Sequence, residues 1–478
     1  MEITWALVFA TSACFFSLLT NHKILFYLVI FFFSFTATVV INFTNGQGIS
    51  LFLFISMFIS ILLLFSLLKD FAHKRIIFSR YSIMPIQFGL IVLISIFMPI
   101  WIDGSLEVDS NMIFEDYYKI PIYFSFDTIL AVMPVIIGVM LVLSILRFVD
   151  NEVFFFKLSR YLILSIVFVA FWGIFQFICN IVPFINYPDF IFNNIKSETA
   201  RGFAQVLESD DVSSSFARLS SVTHEPSTFV KHLLIPIPIL YLSKVTGVII
   251  FSRKFDSFIL YLLIGMIILS TSTTGLIGLI LCFIITNLFL SFFYNQRIFL
   301  RLTFFLIFLT TFFAIALVAI PDYLQLILFD KLASGSGIER ISSIINSWQY
   351  FLMYPIYGVG WNNVTVNDLI VNLLVNSGLI GLSSFMILLL FSIRWPINDL
   401  NFLLKNNIIK NSDFIEIQNH LCGYMVSFMT LVILGIFTGI EFYLGYFYIV
   451  LSMVYASGNI ISKINTYNSG EMDYERMQ

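Results

Sequence analysis

The stretch from Ser220 to His232 reads S-S-V-T-H-E-P-S-T-F-V-K-H and runs directly into L-L-I-P-I-P-I-L-Y-L. Two histidines, a glutamate and a lysine stand where a long apolar run begins. Pro226 suits the first turn of a helix, where its missing N–H costs nothing. A helix starting there gathers free backbone N–H groups and the positive end of its dipole, a natural anion site. Helical spacing puts His224, Thr228 and Lys231 on one face, and Glu225 with His232 on another. Arg218 lies just upstream, and Ser227 follows the proline. A carboxylate and an imidazole beside basic groups can move a proton and hold an anion. The plainer reading is a span start with snorkelling polar residues, common for lysine. A Lys–His pair one to two turns inside the run argues for function, because intramembrane ionisable groups are costly and usually face a cavity.

Two further clusters bear on chemistry. Ser270 to Gly275, S-T-S-T-T-G, can present hydroxyls and N–H groups to a phosphate, or form a turn capped by serine and threonine; the cap is the simpler account. Gly337 to Arg340, G-I-E-R, precedes Y-P-I-Y-G-V-G-W-N-N at Tyr354 to Asn363. Ile338, Ile341, Ile345, Trp348 and Leu352 fall on one helical face, with Arg340, Ser343, Ser347 and Tyr350 on another. Such a helix lies on a membrane–water boundary or packs on a bundle. Arg340 there binds phosphate bidentately, or anchors the helix to lipid headgroups.

The elements that hold these residues follow from composition. The chain has 478 residues, of which 59% are hydrophobic and 11% charged. Its mean hydropathy is +0.96. Apolar runs of membrane-spanning length recur throughout, which predicts an all-α polytopic membrane protein. The runs do not alternate as barrel strands do. The expected spans are 3–20, 24–43, 49–68, 83–102, 126–147, 161–183, 226–243, 256–270, 274–293, 298–320, 369–393, 421–440 and 442–460, about thirteen in a single membrane domain, 1–478. The first run lacks a basic leader and a cleavage site, so it is read as a span. Lysine and arginine concentrate on alternate connections, which places the C-terminus in the cytoplasm and the N-terminus outside. Two long connections, 184–225 and 321–368, then fall outside, and long loops in a compact bundle usually carry function.

Other classes find little support. A net charge of −3 gives no argument for nucleic acid. Cys14, Cys179, Cys282 and Cys422 lie in or beside apolar runs, with no metal spacing and no disulfide framework. There is no phosphate-binding Walker loop and no nucleophile elbow. No internal repeat appears, and ionisable residues avoid the middle of the spans, where a transporter usually places its site. Asp127 and Glu441 sit at span ends.

Three segments together resemble the Wzy-type O-antigen polymerases and the related O-antigen ligases. Arg218 to Ser227, R-L-S-S-V-T-H-E-P-S, is similar to the Arg…Glu-Pro-Ser segment that leads into a span in many of these polymerases. Thr271 to Leu279, T-S-T-T-G-L-I-G-L, sits where the family often has Ser-Arg-Ser/Thr-Gly, with Thr273 in the arginine position. P-I-Y-G-V-G-W-N-N followed by N-L-L-V-N-S-G-L-I-G-L resembles the family's Pro-x-x-Gly-x-Gly loop and the Gly-x-x-Gly that opens the next span. In the ligases a histidine stands where this chain has Asn367, which favours the polymerase.

The resemblance implies glycosyl transfer between undecaprenyl-diphosphate-linked oligosaccharides at the periplasmic face of the bacterial inner membrane. It implies a fold like that of the polytopic lipid-dependent (GT-C-like) glycosyltransferases, with no metal, nucleotide sugar or other cofactor. Arg218, Arg340, Lys231 and Ser227 are the candidates to hold the diphosphate. Glu225 is the candidate base, with His224 its rival. The outer loops are expected to line a sugar groove, with Arg201, Tyr187, Phe190, Trp348, Tyr357, Trp361 and Asn367 as candidates. A ligase and an exporter or flippase are the alternatives. Expected partners are membrane lipids, a chain-length regulator and a flippase.

Overall fold

A computed structural model describes residues 2–43, 48–73, 79–109, 119–182, 184–195, 219–294, 335–405 and 412–477. Its helices are α1 (Trp5–Thr20), α2 (Lys23–Phe32), α3 (Leu51–Ala72), α4 (Ile83–Ser95), α5 (Met98–Ile102), α6 (Phe126–Phe148), α7 (Glu152–Ile181), α8 (Pro226–Leu234), α9 (Ile237–Thr246), α10 (Arg253–Leu269), α11 (Thr273–Tyr294), α12 (Gly335–Met353), α13 (Leu369–Lys405), α14 (Ser412–Thr438) and α15 (Gly445–Met477). Among the described residues, nine helical segments are long and apolar enough to cross a bilayer, with α4–α5 and α8–α9 each counted as one. The expected span 298–320 lies outside the described residues.

Several helices outrun the apolar runs, because their starts are polar and capped. Asn151 accepts from the Phe154 N–H at 2.9 Å and opens α7 nine residues before its expected span. At the other extreme, the expected span 24–43 is helical only over α2. From Phe33 the chain turns and then runs as a strand, β2 (Val39–Asn42), paired antiparallel with β1 (Glu2–Ile3) and β3 (Gly48–Ser50). The β-branched run Thr38 to Ile41 favours extended backbone. Buried non-helical backbone needs partners. Here Ala37 N–H donates to Val222 O at 3.2 Å, and Val39 N–H donates to Asn194 Oδ1 at 2.8 Å.

α15 packs against α6, α13 and α14, while α14 also packs on α9 and α11. The α8–α9 pair is the most enclosed of the spans. It is interrupted at Pro236, which has no N–H to donate. Ser427 Oγ donates to the neighbouring Ile235 carbonyl at 2.6 Å. A smaller cluster caps one end of the bundle. It joins Ile102, Leu106 and Val108 to Ile122, Tyr350, Val359, Val364 and Val375. The hairpin of β4 (Glu107–Asp109) and β5 (Lys119–Pro121) contributes to it.

α12 docks on that cap through Tyr350 and Ser347, both buried. Ile341, Ile345, Trp348 and Leu352 stay exposed. The apolar face and the packing face are therefore different faces of one helix.

α13 is two helices joined at Gly378, whose φ is 68°. The preceding loop occupies the break. Val359 N–H donates to Val375 O at 2.8 Å, and Leu379 N–H donates to Pro355 O at 2.9 Å. Within an unbroken helix, Leu379 would donate to Val375 itself. The loop has exchanged partners with the helix, which needs glycine on both sides. A Cβ on Gly378 would lie 2.1 Å from Ile356 O, and one on Gly358 would lie 2.5 Å from Val375 O. The Gly-x-Gly loop and the Gly-x-x-Gly helix start, separate motifs in sequence, form one joint.

Candidate functional site

The segment before α8 is a buried, hydrogen-bonded plug. Gln176 Oε1, on α7, accepts from the Ser220 N–H at 3.0 Å and the Ser221 N–H at 2.8 Å. Ser221 Oγ donates to Val169 O at 2.6 Å. Thr223 Oγ1 donates to Ser220 O at 2.7 Å. Asn193 Nδ2 donates to Ser221 O at 3.0 Å. These bonds fix the direction in which His224 and Glu225 leave the plug.

Glu225 is the N-cap of α8, with extended φ and ψ. His224 therefore precedes the helix, and the helical face expected to join it to Thr228 and Lys231 starts only at Pro226. The groups meet by another route. His224 Nδ1 lies 3.0 Å from Thr36 Oγ1, on the unwound segment after α2. The His224 backbone N–H donates to the same oxygen at 3.2 Å. Ser227 Oγ donates to Glu225 Oε2 at 2.8 Å.

Lys231 is 1% exposed. Its Nζ donates to Glu441 Oε1 and to Gly439 O, both at 3.3 Å. It also lies 5.7 Å from the Tyr446 ring centroid. Gly439 ends α14 with φ 73°, the left-handed form that glycine adopts freely. Its carbonyl is thereby released from the helix for the lysine. Glu441 Oε2 is sealed from solvent and has no hydrogen-bond partner among the described residues. Ligating atoms of His224, Glu225 and Glu441 all lie within 4.8 Å of one another, so these three side chains can hold a metal ion.

The other predicted residues divide. Asn367 comes close: a Cβ on Gly439 would lie 3.8 Å from Asn367 Cα. Asp368 caps the upper part of α13 by accepting from the Val371 N–H at 2.8 Å. Trp361 is buried against Phe88 and Phe442, with no free face for a sugar. Trp348 and Tyr357 are about half exposed. Tyr187 donates to Asn193 and supports the plug, while Phe190 is exposed. Arg201 and Arg218 lie outside the described residues, as does the Arg340 side chain. In the hydroxyl cluster, Ser270, Ser272 and Thr274 are buried, and Ser270 Oγ donates to Ile267 O at 2.7 Å. That bond closes the last turn of α10.

Sequence reasoning gave Glu441, Thr36 and Gln176 no role in the site. Glu441 and Gln176 each carry a signal, as a polar residue in an apolar stretch. Thr36 carries none, because its partner is a histidine far along the chain. The opposite ends of the same helices show the contrast. Arg80–Asp399, Arg147–Asp70 and Arg160–Glu416 pair there, partly exposed. Glu416 and Glu441 sit near the two ends of α14, roughly 35 Å apart at 1.5 Å per residue. No protein-family model matches the chain, and no curated protein matches it either.

Proposed function

We propose that the chain is a Wzy-like glycosyltransferase that polymerises undecaprenyl-diphosphate-linked oligosaccharide repeats at the periplasmic face of the bacterial inner membrane. One observation carries the reading. His224, Glu225, Lys231 and Glu441 converge at one end of the bundle, beside the start of α8. A buried lysine with three half-buried ionisable partners is costly, and such groups are kept where they act.

The reaction joins two lipid-linked chains. A hydroxyl oxygen of the acceptor repeat attacks the anomeric carbon of the donor chain. The bond from that carbon to the diphosphate breaks, and its electron pair leaves with the lipid diphosphate. The acceptor proton passes to Glu225, with His224 the rival base. Lys231, Ser227 and the N-terminus of α8 supply positive potential for the departing charge, joined by Arg218 and Arg340. Trp348 and Tyr357 offer exposed aromatic faces to sugars, and Arg201 and Asn367 complete the proposed groove. A chain-length regulator and a flippase are the expected neighbours. The GT-C-like fold belongs to the same proposal.

The test is a deletion strain with its lipopolysaccharide resolved on a gel. Loss of the polymerase leaves core bearing a single repeat. Bare core with polymer stranded on its lipid carrier would instead identify a ligase. Elongation of lipid-linked repeats by the purified protein in detergent would separate either enzyme from an exporter.

A further inference from the structure

The cluster of His224, Glu225 and Glu441 has the makings of a cation site. Each side chain is held by one polar atom from outside the trio. Thr36 Oγ1 holds His224 Nδ1 at 3.0 Å, which leaves Nε2 for another partner. Ser227 Oγ holds Glu225 Oε2 at 2.8 Å, which leaves Oε1. Lys231 Nζ holds Glu441 Oε1 at 3.3 Å, which leaves Oε2. That last oxygen is shut off from solvent and unbonded among the described residues. Metal ligands are held in this way, one atom oriented by an outer partner and the other given to the ion. Charge points the same way. Two carboxylates against one ammonium leave the cluster negative, and like charges this close repel.

We propose that His224, Glu225 and Glu441 bind a hard divalent cation, Mg2+ or Mn2+. Two carboxylates and one imidazole suit such an ion and leave positions open for phosphate oxygens. A diphosphate brought beside two bare carboxylates is repelled, and the cation reverses that sign. This role for the ion rests on the polymerase reading; the binding site does not. Glu225 Oε2, which accepts from Ser227, has a second lone pair for the acceptor proton. The proposal departs from the metal-free chemistry that the resemblance implies. No sequence motif marks it, because the third ligand comes from near the far end of the chain.

The test uses full-length protein in detergent, without lipid-linked substrate, titrated with MnCl2 and followed by electron paramagnetic resonance of free Mn2+. One Mn2+ per chain is expected, displaced by excess MgCl2. Glu441→Gln removes a charged ligand and weakens binding by more than tenfold (a factor of ten or more). Thr36→Ala removes only the orienting hydroxyl and weakens binding by about 10–100-fold. It keeps the test open should Glu441→Gln elute as aggregate. Absence of stoichiometric Mn2+ on the parent protein, or unchanged binding in the folded variants, overturns the site. Tight Zn2+ binding that Mg2+ does not displace overturns the assignment to hard cations. No sugar substrate is present, so the result is independent of polymerisation. A chain that binds Mn2+ yet leaves the lipopolysaccharide ladder intact on deletion keeps the site and loses the polymerase reading.

Discussion

Lys231 and Glu441 meet 3.3 Å apart between the first helix after the plug and the turn after α14. The lysine is buried and the glutamate side chain is 19% exposed. Removing one partner of such a pair strands the other charge and costs about 3–5 kcal/mol. Lys231→Ala is therefore expected to lower the melting temperature of the detergent-solubilised protein. Lys231→Met combined with Glu441→Leu should recover most of that stability while leaving no polymer. A single variant as stable as the parent would show that the pair is not buried in solution.

The proposed polymerase reaction gives the acceptor proton to Glu225. Glu225→Gln keeps the shape and the Ser227 contact but cannot accept it. Chain elongation should fall by about 10^2–10^4-fold, the usual contribution of a general base. Measured on the same gels, His224→Ala should fall less. The reverse order would make the imidazole the base.

Gly378 tests the joint between loop and helix. Alanine there meets Ile356 O and must hold a positive φ. Such strain costs on the order of 1–3 kcal/mol. Gly378→Ala should melt earlier and lose polymer together, as should Gly358→Ala. Normal melting of both would mean that the loop does not occupy the break.

Arg147 and Asp70 pair at the far end of α3 and α6, with side chains 32% and 19% exposed. Pairs open to water contribute about 0–1 kcal/mol. Arg147→Gln should shift the melting temperature little and leave the polymer ladder unchanged. A blocked ladder would tie that end of the bundle to the activity.

The exposed apolar face of α12 is expected to sit in lipid. All four native cysteines are buried, so a spin label on Ile345→Cys reports one position. Accessibility to oxygen should exceed that to a water-soluble relaxant. The opposite ratio would put the face in water.

Much of this architecture was legible in the sequence, for physical reasons. Apolar length marks the nine long apolar helical segments among the described residues, and Pro226 marks the start of α8. The polar face of α12 was visible as a stripe, and Tyr350 and Ser347 on it are the residues that dock. What sequence could not show were meetings between distant segments. The second span looked apolar enough throughout, yet its backbone after Phe33 is held by Val222 and Asn194, which no local pattern reveals. Trp361 looked like a sugar platform because loop aromatics often are, but Phe88 and Phe442 enclose it. His224 and Glu225 stand out beside their own neighbours in sequence; Glu441 does not, since it arrives from another helix end.

The exchange of partners at Gly378 has a mechanical consequence. A helix transmits twist along its axis because every turn is bonded to the next. α13 lacks that link between Val375 and Leu379, where the loop's backbone is interposed. The short segment from Leu369 to Ser377 is thus tied to the long rod below it partly through the loop. The rod bonds to the same loop, Leu379 N–H to Pro355 O at 2.9 Å and Ile380 N–H to Ile356 O at 3.3 Å, so the loop bridges the two halves at the break. Asn367, at the head of the short segment, is the neighbour of the Gly439 backbone whose carbonyl holds Lys231. A shift of the loop's backbone is thereby passed to the backbone that holds the buried ammonium.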